Sequence, residues 1–255
     1  MSLRYAYLGS GSRGNSAIIT DGDVTVMLDC GFSLKEAERR LERLDIDPRQ
    51  IDALLVTHEH ADHIAGVGAF ARRHETAVYL TDGTRASGRT GDLPVAESVY
   101  FDDPIRIGGL TVLPVPVPHD AREPVQYVFE AAGRKLGILT DLGHITPVVR
   151  DAFAACDALV VECNHDLDML AEGPYPPALK QRVGGHYGHL NNAQAADLLA
   201  KSELGRLQHV LAVHVSEKNN TPDLARDALC EAADTVELDI AVACQDQGSP
   251  WREIA

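Results

Sequence analysis

The chain has 255 residues, 45% of them hydrophobic, with 38 acidic against 23 basic side chains and a formal net charge of -15. This length and apolar content suffice for one large core, so a single domain over 1–255 is expected. No apolar stretch approaches the ~20 residues that span a bilayer, and the charge argues against a broad basic surface for non-specific nucleic-acid binding, though not against a locally basic cleft. Five scattered cysteines (Cys30, Cys156, Cys163, Cys230 and Cys244) form no Cys-x-x-Cys pair. With no secretory leader pattern at the N-terminus, they predict a reduced, cytoplasmic protein.

Residues 4–8 and 15–20 read as strands joined by Gly9-Ser10-Gly11-Ser12-Arg13-Gly14-Asn15-Ser16. That turn is either a flexible hairpin loop or a cradle of N–H groups able to approach an anion. Val24 to Leu28 is a further strand, ending at Asp29-Cys30-Gly31. Ser33 is placed to cap an amphipathic helix reaching about Leu44, with Glu36 at the capping-box position. Ile51 to Val56 is the apolar run of a buried strand, and from about Asp62 to Arg73 the spacing and alanine content predict a helix.

Between that strand and helix stand His58, His60, Asp62 and His63, four candidate metal ligands within six positions. Side chains two apart in extended chain point the same way, so His58 and His60 are placed to grip one ion while the turn into the helix swings Asp62 and His63 towards a second. The His-x-His-x-Asp-His run resembles the first metal-binding motif of the metallo-β-lactamase-fold hydrolases. The resemblance implies an α/β fold, a four-layer αββα sandwich with a metal centre at one edge of its two sheets. It also implies that the early glycine loop lies beside the metals, offering Ser10, Ser12, Arg13 and Asn15 to a substrate, and that Asp29 buttresses the metal loop.

Ala77 to Leu80 reads as a strand, and residues 82–98 are turn-rich with little visible chemistry. Strand-like pieces at 105–107 and 110–117 end at Pro118-His119-Asp120, where the resemblance implies the third histidine ligand of the first ion. Gln126–Glu130 and Lys135–Leu139 pair as a hairpin that delivers Thr140-Asp141-Leu142-Gly143. A carboxylate at that strand end is suited to bridging two cations, and the sequence resembles the family's bridging-aspartate motif. β-Lactamases of this fold commonly carry a cysteine nearby; a hard carboxylate suits a binuclear esterase or phosphodiesterase.

Ala158 to Glu162 is a buried strand leading into Cys163-Asn164-His165-Asp166. Residues 175–192 are neither periodic nor acidic and read as a substrate-facing loop carrying Lys180, Arg182, His189 and Asn191, with Asn191 or Asn192 capping a helix from Ala193 to Ser202. His186 and Tyr187 read as rim residues, and His74, His144 and His209 as structural. A strand from Gln208 to Val213 ends at His214, where the resemblance implies the late ligand of the second ion. A helix at about 222–232 and a strand at about 236–243 complete the chain.

The resulting set is His58, His60 and His119 for one divalent ion and Asp62, His63 and His214 for another, bridged by Asp141. Such donors suit zinc first and also admit manganese, iron or nickel. A hydroxide shared by the two ions is the expected nucleophile, with His189, or else His165, as the proton donor to the leaving group. The early Gly-Ser-Gly-Ser-x-Gly-Asn-Ser, Asn-His-Asp at 164–166, Tyr-Pro-x-x-Leu-Lys-x-Arg at 175–182, Gly-His-Leu-x-Asn at 188–192 and His-x-Ser-x-x-Asn-Asn at 214–220 resemble the YycJ/WalJ-type bacterial branch over nearly the whole chain. The departure is Asn191, where a serine commonly precedes the asparagine. That branch implies phosphodiester hydrolysis, with DNA as a candidate substrate and a DNA exonuclease as the leading expectation. A small-molecule or cyclic-phosphate phosphodiesterase is the alternative, followed by a carboxylic-ester or thioester hydrolase and a non-catalytic metal-binding adaptor. A diiron oxygen sensor is disfavoured, since such relatives typically carry glutamate where His60 stands.

Overall fold

The computed structural model describes residues 2–101, 103–233 and 236–255. Among them are two seven-stranded sheets. The first takes β1 (Leu3–Gly9), β2 (Ser16–Thr20), β3 (Thr25–Leu28), β4 (Ala53–Leu55), β5 (Ala77–Leu80) and β6 (Ala96–Ser98) in chain order. The second takes β7 (Ile105–Ile107), β8 (Leu110–Pro116), β9 (Val125–Ala131), β10 (Arg134–Leu139), β11 (Ala158–Glu162), β12 (His209–Val213) and β13 (Asp239–Val242). The C-terminal β14 (Arg252–Ile254) returns to flank β1. Each sheet changes from antiparallel to parallel half-way, at β3 and at β10. The parallel strands are short unbroken apolar runs, such as Ala158-Leu159-Val160-Val161, because both of their faces are covered.

Tyr5, Tyr127, Phe129 and Ile138 fill the space between the sheets. On the outer face of the first sheet, α1 (Leu34–Glu42) and α3 (Val67–His74) lay Leu41, Val67 and Phe70 against Met27 and Leu54. On the second, α5 (Pro147–Phe153), α8 (Asn192–Ala200) and α9 (Pro222–Ala232) lay Phe153, Leu198 and Leu229 against Leu159 and Val161. Burying each such side chain stabilises the fold by roughly 1.5–3 kcal/mol. The layer order is helix, sheet, sheet, helix: the expected αββα sandwich.

Some local expectations fail for definable reasons. The helix predicted from Asp62 to Arg73 is two, α2 (Ala61–Ile64) and α3, because the Gly66 N–H leaves the helical ladder to donate to the Cys30 carbonyl at 2.8 Å, at a point where the Phe32 carbonyl packs so close that a Cβ would lie 1.9 Å from it. Ser33 caps α1 through the N–H of Glu36, but the Glu36 carboxylate turns to Arg39 and Arg40 and not back to the cap. The irregular 175–192 stretch contains α7 (Pro177–Val183), entered through Pro177 in its first turn. Short helices α4 (Asp82–Ala86) and α6 (Leu167–Glu172), together with α5 and the strands β6 and β14, carry too few residues for a periodic pattern to reveal.

Candidate metal centre and cavity

The site lies at the C-terminal ends of strands around both antiparallel-to-parallel switches, where α/β sheets leave a crevice. Asp29 follows β3, Asp141 follows β10 and His214 follows β12, and all three adopt left-handed backbone, with φ of 55°, 55° and 53°. Such conformations are uncommon outside glycine, although Asp and His tolerate them better than most residues. Their cost is of order 1–3 kcal/mol each, and they cluster at functional sites. The metal loop is drawn against Gly31, where a Cβ would sit 1.8 Å from the Asp62 carbonyl.

The orientation of each imidazole follows from what holds its other nitrogen. Nδ1 of His119 is 2.9 Å from the Gly188 carbonyl, and Nε2 of His60 is 3.2 Å from the Asp120 carbonyl. A carbonyl only accepts, so those nitrogens carry the protons. The remaining atoms, His119 Nε2 and His60 Nδ1, then direct lone pairs at each other across 3.2 Å. His58 behaves alike: the Thr57 hydroxyl donates to Asp29 and accepts from His58 Nδ1, leaving a buried Nε2 with no partner. Burial also pushes the His58 and His119 pKa values down, favouring neutral rings. Three converging lone pairs are repulsive without a cation among them, and the three ligand atoms lie within 4.8 Å of one another. The chain therefore fits a divalent metal at this point.

The second half of the cluster is carboxylate-rich. Nδ1 of His63 is 2.7 Å from Asp29, and its Nε2 faces Asp141 at 3.0 Å and Asp62 at 3.5 Å. Nε2 of His214 faces Asp62 at 3.2 Å and Asp141 at 3.5 Å. Burial lowers both imidazole pKa values, but the surrounding carboxylates outweigh it, raising His63 well above its ordinary value and His214 to about 10. In the absence of metal these rings hold protons where the carboxylates call for positive charge, the requirement that a divalent cation would otherwise meet. Asp62, His63 and His214 form a second three-ligand group, and Asp141 joins both His58–His63 and His214 in close sets.

The early loop packs against these groups. Asn15 Nδ2 lies 3.1 Å from His63 Nε2 and 3.3 Å from Asp62 Oδ2, and Ser10 accepts the His214 N–H at 2.8 Å while donating to Asn15. The polar atoms of Ser10 and Asn15, expected to face a substrate, are engaged inward, on the metal-ligand cluster and on the loop itself. Asn191 likewise is used as the cap of α8, accepting from Gln194 N. Arg13 is held by Glu217 and Asp246, and Lys180 by the Ala171 carbonyl, so neither reaches the cavity. Ser12 and Arg182 do line it, although Arg182 is paired with Asp120 at 2.5 Å.

That cavity, about 370 Å³, opens beside Asp62, Asp141, His189 and His214. His189 is stacked on His214, with ring centroids 5.2 Å apart and 12° between planes. Its Nδ1 lies 2.7 Å from Glu162, a fully buried carboxylate that sequence reasoning passed over. Glu162 also accepts the N–H groups of Leu142 and Leu190. Burial raises its pKa, but His189 and His214 bring it down to about 2, and in turn Glu162 and Asp141 overcome the effect of burial to raise that of His189. The one available signal was an acidic residue closing an otherwise apolar strand. His165, the other predicted proton donor, is buried and does not line the cavity, with neither ring nitrogen partnered. Asp120 and Asn164, the latter 3.1 Å from His214 Nδ1, were also missed.

A beta-lactamase superfamily domain model matches residues 25–215, spanning the whole cluster. The chain belongs to the metallo-β-lactamase superfamily. Within it, exodeoxyribonuclease YycJ of Bacillus anthracis is 33% identical over 230 residues, covering 89% of this chain and 87% of that protein. Exodeoxyribonuclease WalJ of Streptococcus pneumoniae is 29% identical over 266 residues, covering 100% and 99%. The YycJ/WalJ-type branch is thus the one to which the chain belongs. Its fold is shared by the metallo-β-lactamase fold protein YhfI of Bacillus subtilis, with a TM-score of 0.75 at 16% identity over 99% of this chain and 100% of that one. No helix among the described residues is long and apolar enough to cross a membrane.

Proposed function

We propose that this superfamily member is a two-metal phosphodiesterase acting on a nucleic-acid strand, with DNA exonuclease activity the best-supported form. The observation that carries the reading is His189, raised in pKa by Glu162 and opening onto the same cavity as His60, Asp62, Asp141 and His214 of the ligand cluster. A proton donor beside a metal cluster serves a substrate whose leaving oxygen is a poor leaving group. The YycJ and WalJ names support DNA as that substrate.

His58, His60 and His119 would hold one ion, Asp62, His63 and His214 the other, with Asp141 between them; zinc or manganese suits this donor set. When bound, two such ions supply an activated water and neutralise charge on a phosphoryl oxygen. Glu162 fixes the His189 ring through Nδ1, leaving Nε2 to give its proton to the departing alkoxide. Ser12 supplies a hydroxyl at the cavity wall for a non-bridging oxygen, while Arg182, which also lines the cavity, is held by Asp120.

A small or cyclic phosphodiester is a second reading, favoured by the cavity's size and by the pairing of Arg182 with a carboxylate. Hydrolysis of bis-p-nitrophenyl phosphate, a thioester, a cyclic dinucleotide and a DNA oligonucleotide, each with zinc and with manganese, tests the choice. Preferential cleavage of the oligonucleotide is expected. Turnover of the thioester alone would overturn the phosphodiesterase reading.

A further inference from the structure

We infer that Arg89 is a substrate-selecting residue that holds a phosphate next to the scissile one. The inference rests on the phosphodiesterase reading and deepens it by saying which side chain distinguishes a strand from an isolated diester. Of the other cations near the site in sequence or space, Arg13 is committed to Glu217 and Asp246, Arg182 to Asp120, and Lys180 to the Ala171 carbonyl away from the cavity, while Lys218 sits over the Tyr175 ring, 5.7 Å from its centroid, and does not line the cavity. Arg89 also lines the cavity, and among the described residues no carboxylate lies within salt-bridge distance of it. In a chain of net charge -15, an unpaired guanidinium in the wall of the cavity beside the metal-ligand cluster has a complement in an anionic ligand.

The segment bearing Arg89 is built to stay in place. Arg72, on α3 immediately after the metal loop, donates to the carbonyls of Thr90 and Asp92 at 3.0 and 2.8 Å. Gly68 lets the Thr90 carbonyl approach so closely that a Cβ would lie 1.8 Å away. At the other end, the Thr81 hydroxyl donates to the Glu123 carbonyl and the Gly83 N–H to the Glu123 carboxylate, tying the segment to the loop that carries His119. Arg89 is thereby presented from a backbone clamped on both sides to the elements that position the metal ligands. A single phosphate at the reaction centre would be held by the metals; the free guanidinium serves the next phosphate of a strand.

The test compares metal-loaded wild type with Arg89→Ala and Arg89→Glu, both at an exposed position, on a single-stranded DNA oligonucleotide and on bis-p-nitrophenyl phosphate, with oligonucleotide binding measured by anisotropy using a phosphorothioate strand. For DNA, kcat/KM is expected to fall roughly tenfold or more in Arg89→Ala, chiefly through KM, and further in Arg89→Glu, while the small diester loses about threefold at most. The salt dependence of binding should become shallower by about 0.7 in log–log slope, the contribution of one phosphate on a single strand. Equal losses on both substrates, or unchanged KM and salt slope for DNA, would overturn the role of Arg89 while leaving the phosphodiesterase reading intact. Wild type that hydrolyses the diester but neither cuts nor binds the oligonucleotide would overturn it too. Wild type inactive on both phosphodiesters would defeat the underlying reading itself.

Discussion

Glu162 lies 2.7 Å from Nδ1 of His189, fully buried and fixed by two backbone N–H donors, so the imidazole cannot turn without giving up its shortest contact to a buried carboxylate. In the proposed mechanism the pair would set both the direction in which His189 delivers a proton and the pH range in which it has one.

Glu162→Gln should keep the metals and lower kcat about 10- to 100-fold on an oligonucleotide, with a smaller loss on bis-p-nitrophenyl phosphate, whose leaving group needs little protonation. Removing the carboxylate removes the influence that raises the His189 pKa, so the alkaline limb of the kcat profile should move to lower pH. An unshifted limb would remove His189 from the proton-donor role.

Asp29 is predicted to act through His63 and Thr57. Its carboxylate accepts from the Thr57 N–H and hydroxyl, each at 2.8 Å, and lies 2.7 Å from His63 Nδ1. Asp29→Asn should weaken metal affinity by about 10- to 100-fold, the usual effect of losing a partner that orients a metal-ligating histidine. Competition with a chelating dye measures this directly, and unchanged affinity would contradict it.

Metal uptake should release protons. Without metal, the carboxylates hold the His63 and His214 pKa values above their ordinary range, so near neutral pH both rings are protonated and must lose that proton to become ligands. Affinity should therefore rise with pH through the neutral range, and the calorimetric enthalpy of binding should vary with the buffer's ionisation enthalpy. A buffer-independent enthalpy at pH 7 would contradict the arrangement.

Arg40 links the fold to the site. Buried, it donates to the carbonyls of Leu8 and Gln245 and to Glu36, and the Gln245 side chain in turn holds Arg13 N and the Gly14 carbonyl of the early loop. Arg40→Met should cost about 2 kcal/mol, chiefly by leaving the Gln245 carbonyl unpaired, since Arg43 still donates to that of Leu8, lowering Tm by roughly 6 °C. A Tm within about 1 °C of wild type would show that the loop is held otherwise.

The fold and the ligand cluster were legible because their signals are local. His58 to His63 fall within six positions, and the apolar runs that become β4, β11 and β12 mark which following residues stand at strand ends. Whether a charged side chain is free was not legible. Arg13 is captured across 204 and 233 positions, Arg182 across 62, and Glu162 meets His189 across 27. A sequence gives such residues their charge but not their partner, so neither the carboxylates that hold Arg13 and Arg182 nor the place of Glu162 beside His189 could be read from it. The same limit hid β14, three residues long and paired to the opposite end of the chain.

The most direct test titrates zinc or manganese into chelator-stripped protein while following cleavage of a DNA oligonucleotide and the number of ions bound. Activity absent without metal and rising to its maximum as two ions bind per chain is the predicted result. Cleavage that survives chelation, full activity with a single ion, or no DNA cleavage with either metal would contradict a two-metal nuclease.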